Sequence, residues 1–223
     1  MNKATLTNYL LELSQSRPIF HSEADFQHEL ACLLNRHEHS VRLEKPFTIS
    51  GNHIPNGYLR TELDIEIDGT CALELKYKTH ALKCLVQNEA FELKNQGAQN
   101  LGRFDLLDDA RKVHWLKTAP SNKIAKGFTI FLTNDDKYWR DNAQGTMSEE
   151  FSLEHERTLR PGSVLNWVGN PTANSVGSNR LPPYAPIHIQ FGENVNWEFY
   201  SDCSRYANQL ERNKIFKFFI LEV

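Results

Sequence analysis

The spacing of apolar and polar residues changes period several times along the chain, and each change predicts an element. Residues 5–13 read as a short helix that Arg17-Pro18 ends. A second helix follows His21-Ser22, with Ser22 as N-cap and Asp25 in the acceptor position of a capping box. Its apolar stripe is Phe26, Leu30, Leu33 and Leu34, spaced i, i+4, i+7, i+8. Residues 41–49 read as a strand. Residues 59–67 alternate Leu63, Ile65 and Ile67 with Glu62, Asp64 and Glu66, the period of a half-buried strand. A turn-rich link through Gly51, Asn52, Pro55, Asn56 and Gly57 joins the two. Asp68-Gly69 is a turn signal and residues 71–77 form the next strand, so residues 41–77 predict a three-stranded antiparallel meander.

Residues 82–94 fit a hairpin turning near Asn88-Glu89, with Phe91 and Leu93 on one face, and also fit a helix. Residues 97–117 have a helical composition and exceed any ordinary strand in length. The run 127–133, GFTIFLT, suits a strand buried on both faces and stops at Asn134-Asp135-Asp136. The order is α-βββ-α-β, an α/β (α+β) arrangement with a mixed sheet flanked by helices. Residues 145–186 predict surface excursions, 187–191 and 196–200 a hairpin around Gly192-Glu193-Asn194, and 215–223 a terminal strand. The 223 residues are expected to form one domain, with a core over about 20–140 and an elaboration over 141–223.

Composition narrows this picture. At 40% hydrophobic the chain can bury a core, and no apolar run approaches the roughly 20 residues that span a bilayer. The N-terminus lacks a signal-peptide pattern, so the expectation is a cytoplasmic protein without a membrane partner. Cys32, Cys71, Cys84 and Cys203 have no zinc or iron-sulfur spacing and read as reduced structural thiols. The net charge of -3 argues against a protein that coats nucleic acid, yet the charge is uneven. Residues 1–75 carry 6 basic and 11 acidic side chains, and residues 76–126 carry 10 and 5. A cationic segment after an acidic one suits an enzyme that grips a polyanion beside a divalent metal; on charge alone a lysine-rich solvated helix explains it equally well.

Candidate chemistry gathers in residues 60–78. Asp64 lies mid-strand, and Glu74 and Lys76 share one face of the following strand while Leu73, Leu75 and Tyr77 share the other. If the strands pair across Asp68-Gly69, a carboxylate from each converges, and two carboxylates with a carbonyl and waters are what Mg²⁺ accepts. On the helical wheel, Glu23 falls about 60° from Phe26, inside the apolar stripe, and Glu29 about -60°, at its edge. Glu23 therefore either joins the site or complements the positive helix N-terminus. His37 and His39 flank Glu38 but follow a helix end and read as exposed polar residues. There is no H-E-x-x-H, G-x-S-x-G, P-loop or G-x-G-x-x-G motif. Asn134–Asp136 with Tyr138, Trp139 and Arg140 read as a strand cap and sheet-edge packing, with base stacking as the alternative.

The order Asp64, nine residues, then Glu74-Leu75-Lys76 resembles the PD-(D/E)XK nuclease superfamily, with its restriction-endonuclease-like fold. The resemblance covers about residues 20–135, and Leu63 stands where the motif has Pro. It implies that Asp64 and Glu74 are catalytic metal ligands for Mg²⁺ or Mn²⁺, that the Leu75 carbonyl is a further ligand, and that Lys76 positions or activates water. Glu23 matches the Glu that many members carry on the preceding helix. Gln99 and Arg103 match a Gln-and-basic pair on the following helix that meets phosphate, and Lys78 extends the Lys76 face as a phosphate contact. The implied activity is a Mg²⁺-dependent deoxyribonuclease, with DNA ahead of RNA as partner. The alternatives are an inactive module of the same fold that binds nucleic acid or protein, and a hydrolase of smaller phosphate esters. Substrate choice is left to the C-terminal elaboration, a partner, or a homodimer.

Overall fold

The computed structural model describes residues 1–51, 54, 57–140 and 143–223; Asn52, Pro55 and Asn56 of the predicted link lie outside the described residues. The N-terminal part holds α1 (Lys3–Ser16), α2 (Glu23–Arg36), β1 (Val41–Ser50), β2 (Tyr58–Ile67), β3 (Cys71–Lys78), β4 (Leu82–Val86) and β5 (Glu89–Leu93). Then come α3 (Gln99–Thr118), β6 (Lys126–Thr133), β7 (Thr158–Leu159), β8 (Val164–Leu165), α4 (Ala173–Val176), β9 (Ile187–His188), β10 (Glu193–Asn194), β11 (Glu198–Asp202) and β12 (Ile215–Glu222).

The central sheet runs β1-β2-β3-β6-β12-β11. It is mixed, because β3 and β6 are parallel and the other neighbours antiparallel. The predicted meander is its first half. At the β2–β3 turn both Asp68 and Gly69 are left-handed, with φ of 54° and 68°, which glycine adopts freely and aspartate tolerates. β4 and β5 form the predicted hairpin, turning on Gln87-Asn88, both with positive φ as a two-residue turn requires.

Alternation on the strands divides the core. Leu73, Leu75 and Tyr77 of β3 and Phe128, Ile130 and Leu132 of β6 pack with Leu6, Leu10, Phe26 and Leu30 of α1 and α2. The opposite face, with Ala72, Phe131 and Phe219, packs on Leu106, Ala110 and Val113 of α3. The Ser22 hydroxyl accepts from the Asp25 amide, as predicted for the N-cap. Asp25 does not close the predicted box; its carboxylate accepts from the His21 amide and pairs with Arg17 instead. All four cysteines are free thiols, three of them buried and Cys32 half-buried.

Two expectations for the C-terminal part need correction. The hairpin over 187–200 does not form: β9 pairs with β8, β10 with β7, and β11 with β12. Nor do residues 145–186 make surface excursions, since Phe151, Leu153, Leu159, Trp167 and Val176 are buried against α3 with Trp197 and Phe219. A sheet face only partly covered by one helix needs a second cover, and this segment supplies it. Among the described residues no helix is long and apolar enough to cross a membrane.

Candidate active site

The site begins where two strands part. β2 and β3 pair only over Ile65↔Leu73, Glu66↔Ala72 and Ile67↔Cys71, while β3 stays paired with β6 from Cys71 to Lys78. Beyond Leu73, the amides of β3 that faced β2 lose their ladder partners, and buried N–H groups must find others. Two carboxylates take them. Asp64 Oδ2 accepts from the Leu75 amide at 2.6 Å, and Glu23 Oε2 accepts from the Tyr77 amide at 2.7 Å. The Leu75 carbonyl faces the same gap as its amide, by the alternation of the antiparallel ladder.

Asp64 is aimed by a fault in the next ladder. β1 and β2 pair on both sides of Glu44 and Asp64 but not at them, and Glu44 is left-handed with φ 49°. Gln27 of α2 fills the opening, its Nε2 donating to the Asp64 carbonyl at 2.8 Å and to Glu44 Oε1 at 2.6 Å. The lead-in to α2 is fixed too: the Tyr77 hydroxyl donates to the Phe20 carbonyl at 2.9 Å and the Tyr200 hydroxyl to the Arg17 carbonyl at 2.8 Å. These contacts set Glu23, in the first turn of α2, against β3.

Asp64 and Glu74 meet across the parting strands, their carboxyls within hydrogen-bonding reach of each other. Burial pushes the Asp64 carboxyl up from 3.8 to about 6, with the charge of Glu23 adding to it against the Leu75 amide and the Glu74 hydrogen bond. Glu74, only 7% exposed, is held well above the carboxylate range by burial, then by the charges of Asp109 and Asp64. Lys76 reaches Asp109 of α3, Nζ to Oδ2 at 2.8 Å. Burial pulls its ammonium down, but Asp109 and Glu23 raise it overall. Asp109 is 8% exposed; burial works against its ionisation, and Lys76 and Lys112 hold it ionised. Lys112 binds the other Asp109 oxygen at 3.1 Å and Asp108 at 2.9 Å.

The chain therefore brings Asp64 and Glu74 together, sets Glu23 and Lys76 close enough to act on them electrostatically, and leaves the phosphate-contact candidates elsewhere. Among the described residues no group of three or more His, Cys, Asp or Glu side chains is arranged to hold a metal. Glu23 is directed to the Tyr77 amide and not to the Asp64–Glu74 pair. Gln99 donates to Asp135 Oδ2 at 2.7 Å, beyond the end of β6. Arg103 is 4% exposed, donates to the Lys137 carbonyl at 2.8 Å and to Ser148 at 3.3 Å, and lies over the Tyr138 ring. Lys78 is half-buried at the end of β3 and has no ion pair among the described residues.

No protein-family model, curated protein or solved structure matches this chain.

The half-buried Asp64 carboxyl and the buried Glu74 carboxyl lie side by side and resist ionisation, an arrangement of oxygen ligands of the kind a divalent cation prefers. The donor set fits such an ion: Asp64, Glu74 and the Leu75 carbonyl on the same gap, with Glu23 adjacent. Much of the basic segment, in contrast, is engaged in contacts within the chain. Arg111 donates to the Tyr184 and Pro186 carbonyls, Lys83 pairs with Glu92 and Lys126 with Glu222. His37 is exposed as expected and pairs with Glu12, whereas His39 is half-buried, pairing with Asp68 and packing on Tyr9. Asn134 caps the strands through both His80 backbone groups, and Tyr138 is buried on Phe131.

Sequence reasoning missed Gln27, Glu44, Asp109 and Lys112. Two of these carried a signal. Gln27 sits about 100° from Phe26, beside Leu34 at about 80°. Asp109 falls about -60° from Leu106, between Val113 at about -20° and Leu116 at about -80°, so it is a charge inside the buried stripe of α3.

Proposed function

We propose that this protein is a divalent-metal-dependent nuclease of the PD-(D/E)XK type, with the restriction-endonuclease-like fold, hydrolysing phosphodiester bonds in DNA. The observation that carries the reading is the meeting of Asp64 and Glu74 from strands that part at that point, with Lys76 two residues further on the same face as Glu74. Asp64, Glu74 and the Leu75 carbonyl would hold Mg²⁺ or Mn²⁺, with Glu23 beside them. Such an ion supplies Lewis acidity to a phosphate oxygen and to water. The protein's own part is to hold the two carboxylates on a fixed frame, the Leu75 amide orienting Asp64 and the β6 ladder orienting Glu74. Lys76, kept cationic by Asp109 and Glu23, donates to the attacking water or a non-bridging phosphate oxygen and offsets charge that develops there. Nicking of a supercoiled plasmid in Mg²⁺ tests the reading: wild type should cut, chelation with EDTA should stop it, and Asp64→Ala and Lys76→Ala should each lose at least a hundredfold. Equal cutting by these variants would refute it.

A second reading has its own support. Glu23, Lys76 and Arg103 each have a structural partner, as in a module that keeps the fold and binds nucleic acid or protein without cleaving. Calorimetric titration with Mn²⁺ separates the two: the nuclease has a site abolished by Asp64→Asn, whereas the binding module shows no such dependence.

A further inference from the structure

Lys76 is the side chain on which the nuclease reading depends for positive charge, yet nothing on its own strand fixes its ammonium. The group that does so comes from α3. Asp109 lies on the buried stripe of that helix, takes Lys76 Nζ on Oδ2 at 2.8 Å and Lys112 Nζ on Oδ1 at 3.1 Å. Lys112 has a second hold on Asp108 at 2.9 Å, and Asp108 pairs with Arg111. A buried carboxylate placed between two lysines does more than balance charge: each of its oxygens takes a different lysine, Oδ2 the one on β3 and Oδ1 the one on α3. Ionisation of Asp109 inside the core is unfavourable unless both paired ammonium groups stay in place, so the arrangement resists rotation of either.

We infer that Asp109 is a positioning residue for Lys76, fixing the direction of its Nζ for the phosphodiester reaction, with Lys112 anchoring the far side of the same carboxylate. This rests on the nuclease reading above and assigns it a component from α3, outside the Asp64 to Lys76 motif. The Lys76–Asp109 pair ties β3 to α3 across the face that carries Glu74, so the aim of the lysine is set by the packing of the helix rather than by the strand.

Steady-state cleavage of supercoiled plasmid in Mn²⁺ tests it, using Asp109→Asn, Asp109→Glu and the double variant Asp109→Asn/Lys112→Met. The double variant has the same local net charge as wild type but no carboxylate at 109 to pair with Lys76. The expected result is a tenfold or greater fall in kcat for Asp109→Asn with KM within twofold of wild type, partial recovery in Asp109→Glu, and no recovery in the double variant. If Asp109→Asn does not fold, the double variant and Asp109→Glu carry the comparison. Recovery of wild-type kcat by the double variant would show that Asp109 only balances charge and would overturn the proposal, as would a loss that lies in KM. Wild-type cleavage matched by Asp109→Asn overturns this proposal alone. A wild type that does not cleave overturns the nuclease reading, and this proposal with it.

Discussion

Asp64 is half-buried, yet it carries two jobs that pull in opposite directions. Its Oδ2 closes the open amide of Leu75, which favours the carboxylate, while burial and Glu23 favour the neutral acid strongly enough to bring it up to about 6. A carboxyl whose folded pKa lies above its unfolded value of 3.8 holds its proton to higher pH in the folded chain. Between these two values the folded state binds more protons, so stability falls as pH rises through the window and the contribution is gone above it. The displacement corresponds to about 3 kcal/mol at most. Thermal unfolding in metal-free buffer should therefore show a melting temperature that declines from pH 4 to 6 in wild type and declines less in Asp64→Asn. Added Mn²⁺ should reverse the decline above pH 6 in wild type alone, because it stabilises the ionised pair. An identical pH profile for the variant would mean that Asp64 is not the strained group.

At the scale of elements, the parting of β2 from β3 and the fault between β1 and β2 are linked through α2. Gln27 supplies the hydrogen bond that the Asp64 carbonyl lost at the fault, and Glu44 supplies the left-handed residue that opens it. Gln27→Leu, close in size but without a donor, should leave that carbonyl unpaired and cost about 1–3 kcal/mol in denaturant unfolding. It should also reduce plasmid cleavage beyond what lost stability explains, since Asp64 would lose its aim. A variant as stable and as active as wild type would show that the fault needs no filling. The hydrophobic period announced α2 and the meander, each with one buried side, whereas α3 was legible from composition and length and β6 from an unbroken apolar run that is buried on both faces. The period failed for residues 187–200, where β9 and β10 are two residues each and pair with β8 and β7. Alternation there marks which side chains are buried but cannot name the partner strand. The same helical-wheel geometry that sets Glu23 on the inner face of α2 sets Asp109 on the inner face of α3, so that part of the site is legible in the sequence.

Taken whole, the molecule is a mixed sheet between two unlike covers. One is α1 and α2, with regular spacing that the sequence displays. The other joins α3 to residues 143–197, whose buried Phe151, Leu153, Trp167 and Trp197 follow no period. Trp197 stacks edge-on against Phe219 at 4.5 Å and donates Nε1 to the Leu153 carbonyl at 2.6 Å, so it binds the irregular segment to the sheet. Trp197→Ala should lose about 3–5 kcal/mol in chemical denaturation. A loss under about 1 kcal/mol would return that segment to the surface role its composition first suggested. The same cover packs on the helix that bears Asp109. The proposed divalent-cation site of Asp64 and Glu74 is tested by the initial rate of supercoiled-plasmid nicking as a function of Mn²⁺ concentration, for wild type and Glu74→Gln. Wild type should show a saturable Mn²⁺ dependence that Glu74→Gln abolishes; a rate independent of Mn²⁺, or a curve shared by both proteins, would contradict a cation site that serves phosphodiester cleavage.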